Sequence, residues 1–321
     1  MAQSLVKKKN PDKIAQKLFA AEMGLAIGDA LGFPFEGKAR EELKHINLSC
    51  YHAGLFPPGT WSDDTSLTFI TIESLRRCQG LNLADLAQSF LRWLKEGYLT
   101  PFGQAIGVGR ATKEALLRIE KGVLPEKAGG TDERDNGNGS LMRILPVVLR
   151  YRREPELVML EKVHLASSIT HAHPRAKIAC GLYALLCRGL IETEFDKALG
   201  YALDFGRKFY QKAPFSAELR YFEPLFDGSL FTWPQEKIST SGYVVHTLLA
   251  ACWILKRTKS YHEAVTLAVR LGGDTDTTAA VVGGAAGLCY GYESLPANLL
   301  NELVKGEMLK NIAWVFALEA M

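Results

Sequence analysis

Apolar residues recur along this chain at intervals of three and four. Ile14, Leu18, Ala21 and Leu25 make one stripe, Leu83, Leu86, Phe90 and Leu94 a second, and Phe195, Ala198, Ala202, Phe205 and Phe209 a third. Val245, Leu248, Leu249, Cys252 and Leu255 continue the pattern late in the chain. That spacing lines up apolar side chains on one face of an α-helix. No convincing series of segments alternates with the strand period of two, so the fold is predicted to be all-α. Local start signals agree: Ser260 stands three residues before Glu263 as in a capping box, and Pro174 is placed to open a helix running through Leu186. Polar, glycine-rich loops separate the helices at 32–37, 57–64, 103–109, 129–140 and 272–277. The proline- and aromatic-rich stretch 214–235 reads as an irregular excursion and not as a flexible linker. No repeat of fixed period is present, so the simplest organisation is a tail over 1–10 and one compact domain over 11–321.

Composition narrows the class without choosing a function. A hydrophobic fraction of 47% and a charged fraction of 23% are those of a globular chain. The net charge is +3, and the basic residues form no run longer than Lys7, Lys8 and Lys9, which gives no ground for a nucleic-acid or membrane partner. Cys50, Cys78, Cys180, Cys187, Cys252 and Cys289 are scattered without metal-ligand spacing, so reduced, buried thiols and a cytoplasmic setting are expected. The basic start runs into Asn10, Pro11 and Asp12 and not into an apolar signal core. The weakly polar run 279–292 is too short and glycine-rich to span a bilayer.

The candidate chemistry lies in the loops. Trp61-Ser62-Asp63-Asp64-Thr65 precedes a helix carrying Leu67, Ile70, Ser74 and Leu75, and Gly272-Gly273-Asp274-Thr275-Asp276-Thr277-Thr278 precedes a small-residue helix over 279–287. Either turn reads as a helix cap, because Ser, Asp and Thr satisfy free N–H groups and acids suit the positive end of the helix dipole. One cap needs one oxygen, however, and these turns together offer four carboxylates and several hydroxyls, the donors that Mg²⁺ or Mn²⁺ prefers over zinc. Asp274 and Asp276 lack the later ligands of an EF-hand, and no phosphate-loop lysine follows the glycines.

Three further stretches bear on a ligand. Asn138, Gly139 and Ser140 lead toward a helix of Met142, Ile144 and Leu145, bent at Pro146, whose free N–H groups would attract phosphate; Arg143 is either a phosphate ligand or a packing residue. His171 and His173, two apart with no third ligand nearby, make a poor zinc site. The glycines of 103–109 lack the strand-then-helix context of a dinucleotide fingerprint.

Taken in order, five stretches resemble the ADP-ribosylglycohydrolases: Gly24 to Gly32 (GLAIGDALG) with Glu36, Trp61 to Thr65, Gly137 to Arg143 (GNGSLMR), Thr170 with His171, and Leu271 to Thr277 (LGGDTDT). The likeness runs from about Ala20 to Pro296. It implies an all-helical fold with two magnesium ions at the bottom of a cleft for ADP-ribose, and Mn²⁺ as a substitute. Ser62, Asp63, Asp64 and Asp276 would hold one ion and Asp274, Asp276 and Thr277 the other, with Asp276 bridging. Gly107, Gly109, Asn138, Gly139, Ser140 and His171 would contact substrate, and His173 stays structural. Where many bacterial relatives have Asp-Ile-Gly with a candidate base, this chain has Gly107-Val108-Gly109. Glu36 is the substitute as acid/base, with Asp63 and Asp276 positioning the ribose and the nucleophile. The implied function is magnesium-dependent release of ADP-ribose from a modified protein or small conjugate, by a monomer. The rivals are a non-catalytic ADP-ribose binder or structural protein on this fold, and a magnesium phosphohydrolase.

Overall fold

All four apolar stripes become helices. The computed structural model describes residues 11–321, so the tail over 1–10, with its lysines, lies outside the described residues. In chain order these form α1 (Pro11–Gly32), α2 (Arg40–Leu43), α3 (Asp63–Arg77), α4 (Leu83–Glu96), α5 (Arg110–Glu120), α6 (Pro125–Ala128), α7 (Leu145–Tyr151) and α8 (Glu156–Ser168). There follow α9 (Pro174–Glu192), α10 (Phe195–Phe209), α11 (Glu223–Phe226), α12 (Val244–Arg257), α13 (Tyr261–Arg270), α14 (Thr275–Tyr290), α15 (Ala297–Glu302) and α16 (Gly306–Glu319). The described residues hold no strand, only isolated bridges joining Gly130 to His171 and Gly137 to Tyr243. The irregular 214–235 stretch is a series of 3-10 turns around the single turn of α11.

Start signals work locally. Ser260 Oγ accepts the Glu263 N–H at 3.2 Å, though the Glu263 carboxylate takes the N–H of Lys259 instead of that of Ser260. Pro174 opens α9, with His173 Nδ1 accepting the Arg175 N–H at 3.1 Å, a structural use of His173. Pro146 differs from expectation. It sits in the first turn of α7, and 138–144 is a run of turns closed by Met142 N–H donating to the Asn138 carbonyl. A proline has no N–H to give, so it begins a helix here where a longer helix would have been broken.

Two helices run through the middle of the core. The segment Lys13–Phe35, a longer apolar run than 279–292, is long enough to cross a membrane by length and composition, yet 89% of its 18-residue apolar window is buried inside the fold. Its partner is α14, and they meet backbone on backbone. A Cβ on Gly28 would lie 2.0 Å from the Ala279 carbonyl oxygen, and one on Gly24 would lie 2.5 Å from that of Gly283. From the other side, a Cβ on Gly287 would lie 2.2 Å from the Ala20 carbonyl oxygen. Glycine is required along this crossing because there is no room for a side chain. The consequence is positional: Asp29 on α1 arrives beside Asp276 at the start of α14. The cysteines are all free, with Cys180, Cys187 and Cys252 buried and Cys50, Cys78 and Cys289 only partly so.

Candidate active site

The two acidic turns converge at the N-termini of α3 and α14. Ser62 caps α3, its Oγ accepting the Asp64 N–H at 3.3 Å and donating to Asp64 Oδ2 at 3.1 Å. Asp274 occupies the cap position of α14 without a side-chain cap bond. Capping therefore uses a serine and leaves the acids over. Across the interface Thr277 Oγ1 donates to Asp64 Oδ2 at 3.3 Å, so residues 213 apart in sequence share one carboxylate. Both helix dipoles point positive ends at the cluster, which favours negative charge there.

Carboxylate oxygens of Asp29, Asp64 and Asp276, all three buried, lie within 4.8 Å of one another. Asp29 was no part of the expected ligand set. It accepts the Ser62 and Thr65 N–H groups at 3.0 and 2.9 Å and the Thr65 hydroxyl at 2.6 Å, so it fixes the α3 turn from below. Its sequence signal was an acid which, like Glu22 before it, falls inside a largely apolar helix, since aspartate is seldom fully buried without partners. Burial pushes the Asp29 carboxyl up to about 6 against those hydrogen bonds. Burial first, then neighbouring carboxylates, push Asp63, Asp64 and Asp276 well above the usual aspartate range. Asp64 Oδ1 is buried with no hydrogen-bond partner. An unsatisfied oxygen amid crowded like charges fits a hard cation, and the all-oxygen donor set suits Mg²⁺ or Mn²⁺.

Above this floor is a cavity of about 320 Å³. Glu36, Asp63, Asp274, Asp276, Thr277 and Gly107 line one end, and Arg110 and Arg134 line it with Gly109, Asn138, Gly139 and His171. Gly107 has φ +76°, and a Cβ there would sit 2.4 Å from Asp63 Oδ1, so the loop reaches the acids only as glycine. Asn138 ties the walls together, its Nδ2 donating to Asp274 Oδ2 at 2.7 Å and to Thr247 Oγ1 at 3.0 Å. Glu36 is held over the acids by its loop: Gly37 N–H donates to the Gly273 carbonyl at 2.7 Å, and Gly273 N–H to that of Lys38 at 2.9 Å. Partial desolvation, then the charge of Asp274, raises the Glu36 carboxyl.

One expected ligand contact is corrected, and the open choice at Arg143 falls to packing. Ser140 is fully buried, its Oγ receiving the Ser167 hydroxyl at 2.9 Å beside Cys180 Sγ, so its side chain faces the core and not the cleft. Arg143 is also fully buried, its guanidinium carbon 4.6 Å from the Phe90 ring centre, and cannot reach a phosphate in the cleft. Ser62 and Asp64 lie beneath the cleft surface, behind Asp63 and Thr277. Arg110 and Arg134, which the motifs did not single out, meet through Arg110 Nη2 donating to the Arg134 carbonyl at 2.8 Å.

Arg143 acts on the site at one remove. Its Nη2 donates to Thr170 Oγ1 at 2.8 Å, and Thr170 Oγ1 lies 2.8 Å from His171 Nδ1. Arginine only donates, so Thr170 accepts from it. The Thr170 proton is then available to His171 Nδ1. With Nδ1 accepting, the ring carries its own proton on Nε2, the atom on the side of Gly137. Burial, then the Arg143 charge, pushes the imidazole down to about 3, so it stays neutral and offers the cleft an N–H donor.

Buried acids under a glycine-walled cleft, carried by an all-helical body, form a site for a hard cation and an oxygen-rich ligand, and comparison with known proteins gives its class, a hydrolase acting on glycosyl bonds. The chain belongs to the ADP-ribosylglycohydrolase family, whose sequence model matches residues 10–321. It is 30% identical over 301 residues to "ADP-ribosylarginine hydrolase Tri1" of Serratia proteamaculans, covering 92% of this chain and 78% of that protein. It is 28% identical to "ADP-ribosyl-[dinitrogen reductase] glycohydrolase" of Rhodospirillum rubrum, covering 96% and 98%. "ADP-ribosylhydrolase ARH3" of Gallus gallus is 24% identical over 85% of each chain. A solved "ADP-ribosylglycohydrolase-related protein complex" superposes with a TM-score of 0.80 at 30% identity, covering 97% of this chain and all of that one.

Proposed function

We propose that this chain is a magnesium-dependent hydrolase that cleaves the bond between ADP-ribose and an arginine guanidinium on a modified acceptor. The observation that carries the reading is the carboxylate floor, three buried oxygens within 4.8 Å with Asp64 Oδ1 unpartnered, in a cleft whose other lining includes Arg110 and Arg134. Relatives named for ADP-ribosylarginine favour arginine as the acceptor. Ser62, Asp63, Asp64 and Asp276 would hold one ion, and Asp274, Asp276 and Thr277 the other. Bound magnesium would orient ribose hydroxyls and offset charge as the anomeric bond breaks.

The chain's own groups take the remaining roles. Arg110 and Arg134 attract the diphosphate, and the His171 Nε2–H donates to the substrate. Glu36, its carboxyl raised by partial burial and by the charge of Asp274, would exchange a proton with water and the departing nitrogen. Asn138 keeps Asp274 turned toward the floor. The test is product identification by mass spectrometry on arginine- and serine-modified proteins, with magnesium and with EDTA. Intact ADP-ribose released from arginine only with the metal is expected. AMP or phosphate as the product, or full turnover after chelation, would overturn the reading.

A further inference from the structure

Glu36 lines two cavities. One is the acid-floored cleft; the other, about 240 Å³, is walled by Phe33, Pro34, Gly54, Leu55, Phe56, Pro57 and Thr60. Among the described residues, no other lines both. The second recess has an aromatic wall drawn from separate loops: Phe33 and Phe56 stack at 5.9 Å and 23°, and Phe56 continues onto Phe102 at 6.0 Å and 10°. It opens outward, since Leu55 is 99% exposed and Phe102 45% exposed. Its lining contains a single charged group, the carboxylate of Glu36, and no cation.

We infer that this recess is the acceptor subsite, and that it takes the guanidinium-bearing side chain of a modified arginine between the Glu36 carboxylate and the Phe33 and Phe56 rings. The inference rests on the proposed release of ADP-ribose from arginine and adds where that arginine lies. With diphosphate near Arg110 and Arg134 and ribose over the acids, the departing group meets Glu36, and the next space beyond Glu36 is the recess. A planar delocalised cation gains from both kinds of wall at once, by stacking on rings and by charge-assisted hydrogen bonds to the carboxylate. A serine acceptor would gain from neither. An open outer edge lets a side chain enter while its backbone stays on the surface of a folded protein.

The experiment uses the full chain with magnesium, an ADP-ribosylarginine peptide as substrate, and arginine methyl ester as a probe of the vacated subsite. Phe56→Ala should raise KM for the peptide about tenfold, leave kcat within twofold and leave ADP-ribose affinity unchanged. Phe56→Trp, which restores a ring, should return KM toward wild type and separates loss of the ring from local misfolding. Arginine methyl ester should inhibit wild type competitively, and Phe56→Ala about tenfold more weakly. If wild type cleaves the peptide but Phe56→Ala shows the same KM and the same inhibition, the subsite is overturned while the function stands. If wild type releases no ADP-ribose from arginine, the functional reading falls and the subsite with it.

Discussion

Replacing Asp276 by asparagine tests the idea that the carboxylate floor is a strained metal cradle. Its oxygen lies within 4.8 Å of oxygens on Asp29 and Asp64, and at an effective dielectric near 20 each ionised neighbour at that separation opposes it by about 3 kcal/mol. All three carboxyls are raised in the fold, so metal-free stability is fully present below the ordinary aspartate range near pH 4 and is lost as pH rises through the folded values. Asp276→Asn removes one charge with almost no change in shape. At pH 7.5 in EDTA the variant should therefore melt above wild type by about 4 °C per 3 kcal/mol, for a chain of this length. At pH 4 the advantage should vanish. Magnesium at 100 times its Kd should stabilise wild type by about 2.7 kcal/mol for each ion, and the variant by little. Thermal melts at the two pH values, with and without metal, read all of this. A variant that melts at or below wild type in EDTA at pH 7.5 and keeps the full magnesium shift would refute the reasoning.

Glu36→Gln should slow hydrolysis by roughly 10²–10⁴ while ADP-ribose affinity, read by calorimetry, stays within a few-fold; near-normal turnover on an arginine-linked substrate would reject its acid/base role. Thr170→Val should release the tautomer of His171, seen as loss of the single Nε2–H state in ¹⁵N NMR, and weaken ADP-ribose binding about tenfold, whereas Thr170→Ser should not. A wild-type spectrum showing the proton on Nδ1 would contradict the Arg143–Thr170 relay. Gly107→Ala and Gly103→Ala both force alanine to a positive φ, at about 1–2 kcal/mol. Only Gly107 faces Asp63; a Cβ on Gly103 meets nothing within 4 Å. Magnesium titrations should then show weaker binding for Gly107→Ala alone, and equal losses in the two variants would sever that loop from the metal site.

What was legible in the sequence followed the range of the forces involved. Helical stripes are local, so α1, α4, α10 and α12 could be read from spacing alone. The acidic turns could be read too, because four carboxylates at two helix starts exceed what caps require. Asp29 could not be placed that way: its position depends on how closely α1 approaches α14, which is a property of the pair. Ser140 misled, and Arg143 was open between ligand and packing, for a related reason. They belong to the same short motif as Asn138, but 138–144 is a run of turns and not a helix, and it sends Asn138 into the cleft and Ser140 and Arg143 into the core. Arg110 and Arg134 are separated by 24 residues, and only tertiary structure brings them to one cavity.

The glycine crossing of α1 and α14 also constrains how such a protein can change. Where side chains set the distance between two helices, a substitution can shift it by fractions of an ångström and a lineage can explore the result. Here carbonyl oxygens would lie 2.0 to 2.5 Å from any added Cβ at Gly24, Gly28 or Gly32, so the separation is already at its minimum and each step outward is a methyl group wide. The spacing of Asp29 and Asp276 is thus closed to gradual variation. Inheritance can act instead on the rim, at Phe33, Leu55, Phe56 and Phe102, where side chains are partly or fully exposed. Backbone contact thus sets the floor and side chains set the rim, so the face that meets the acceptor can be altered without moving the acids.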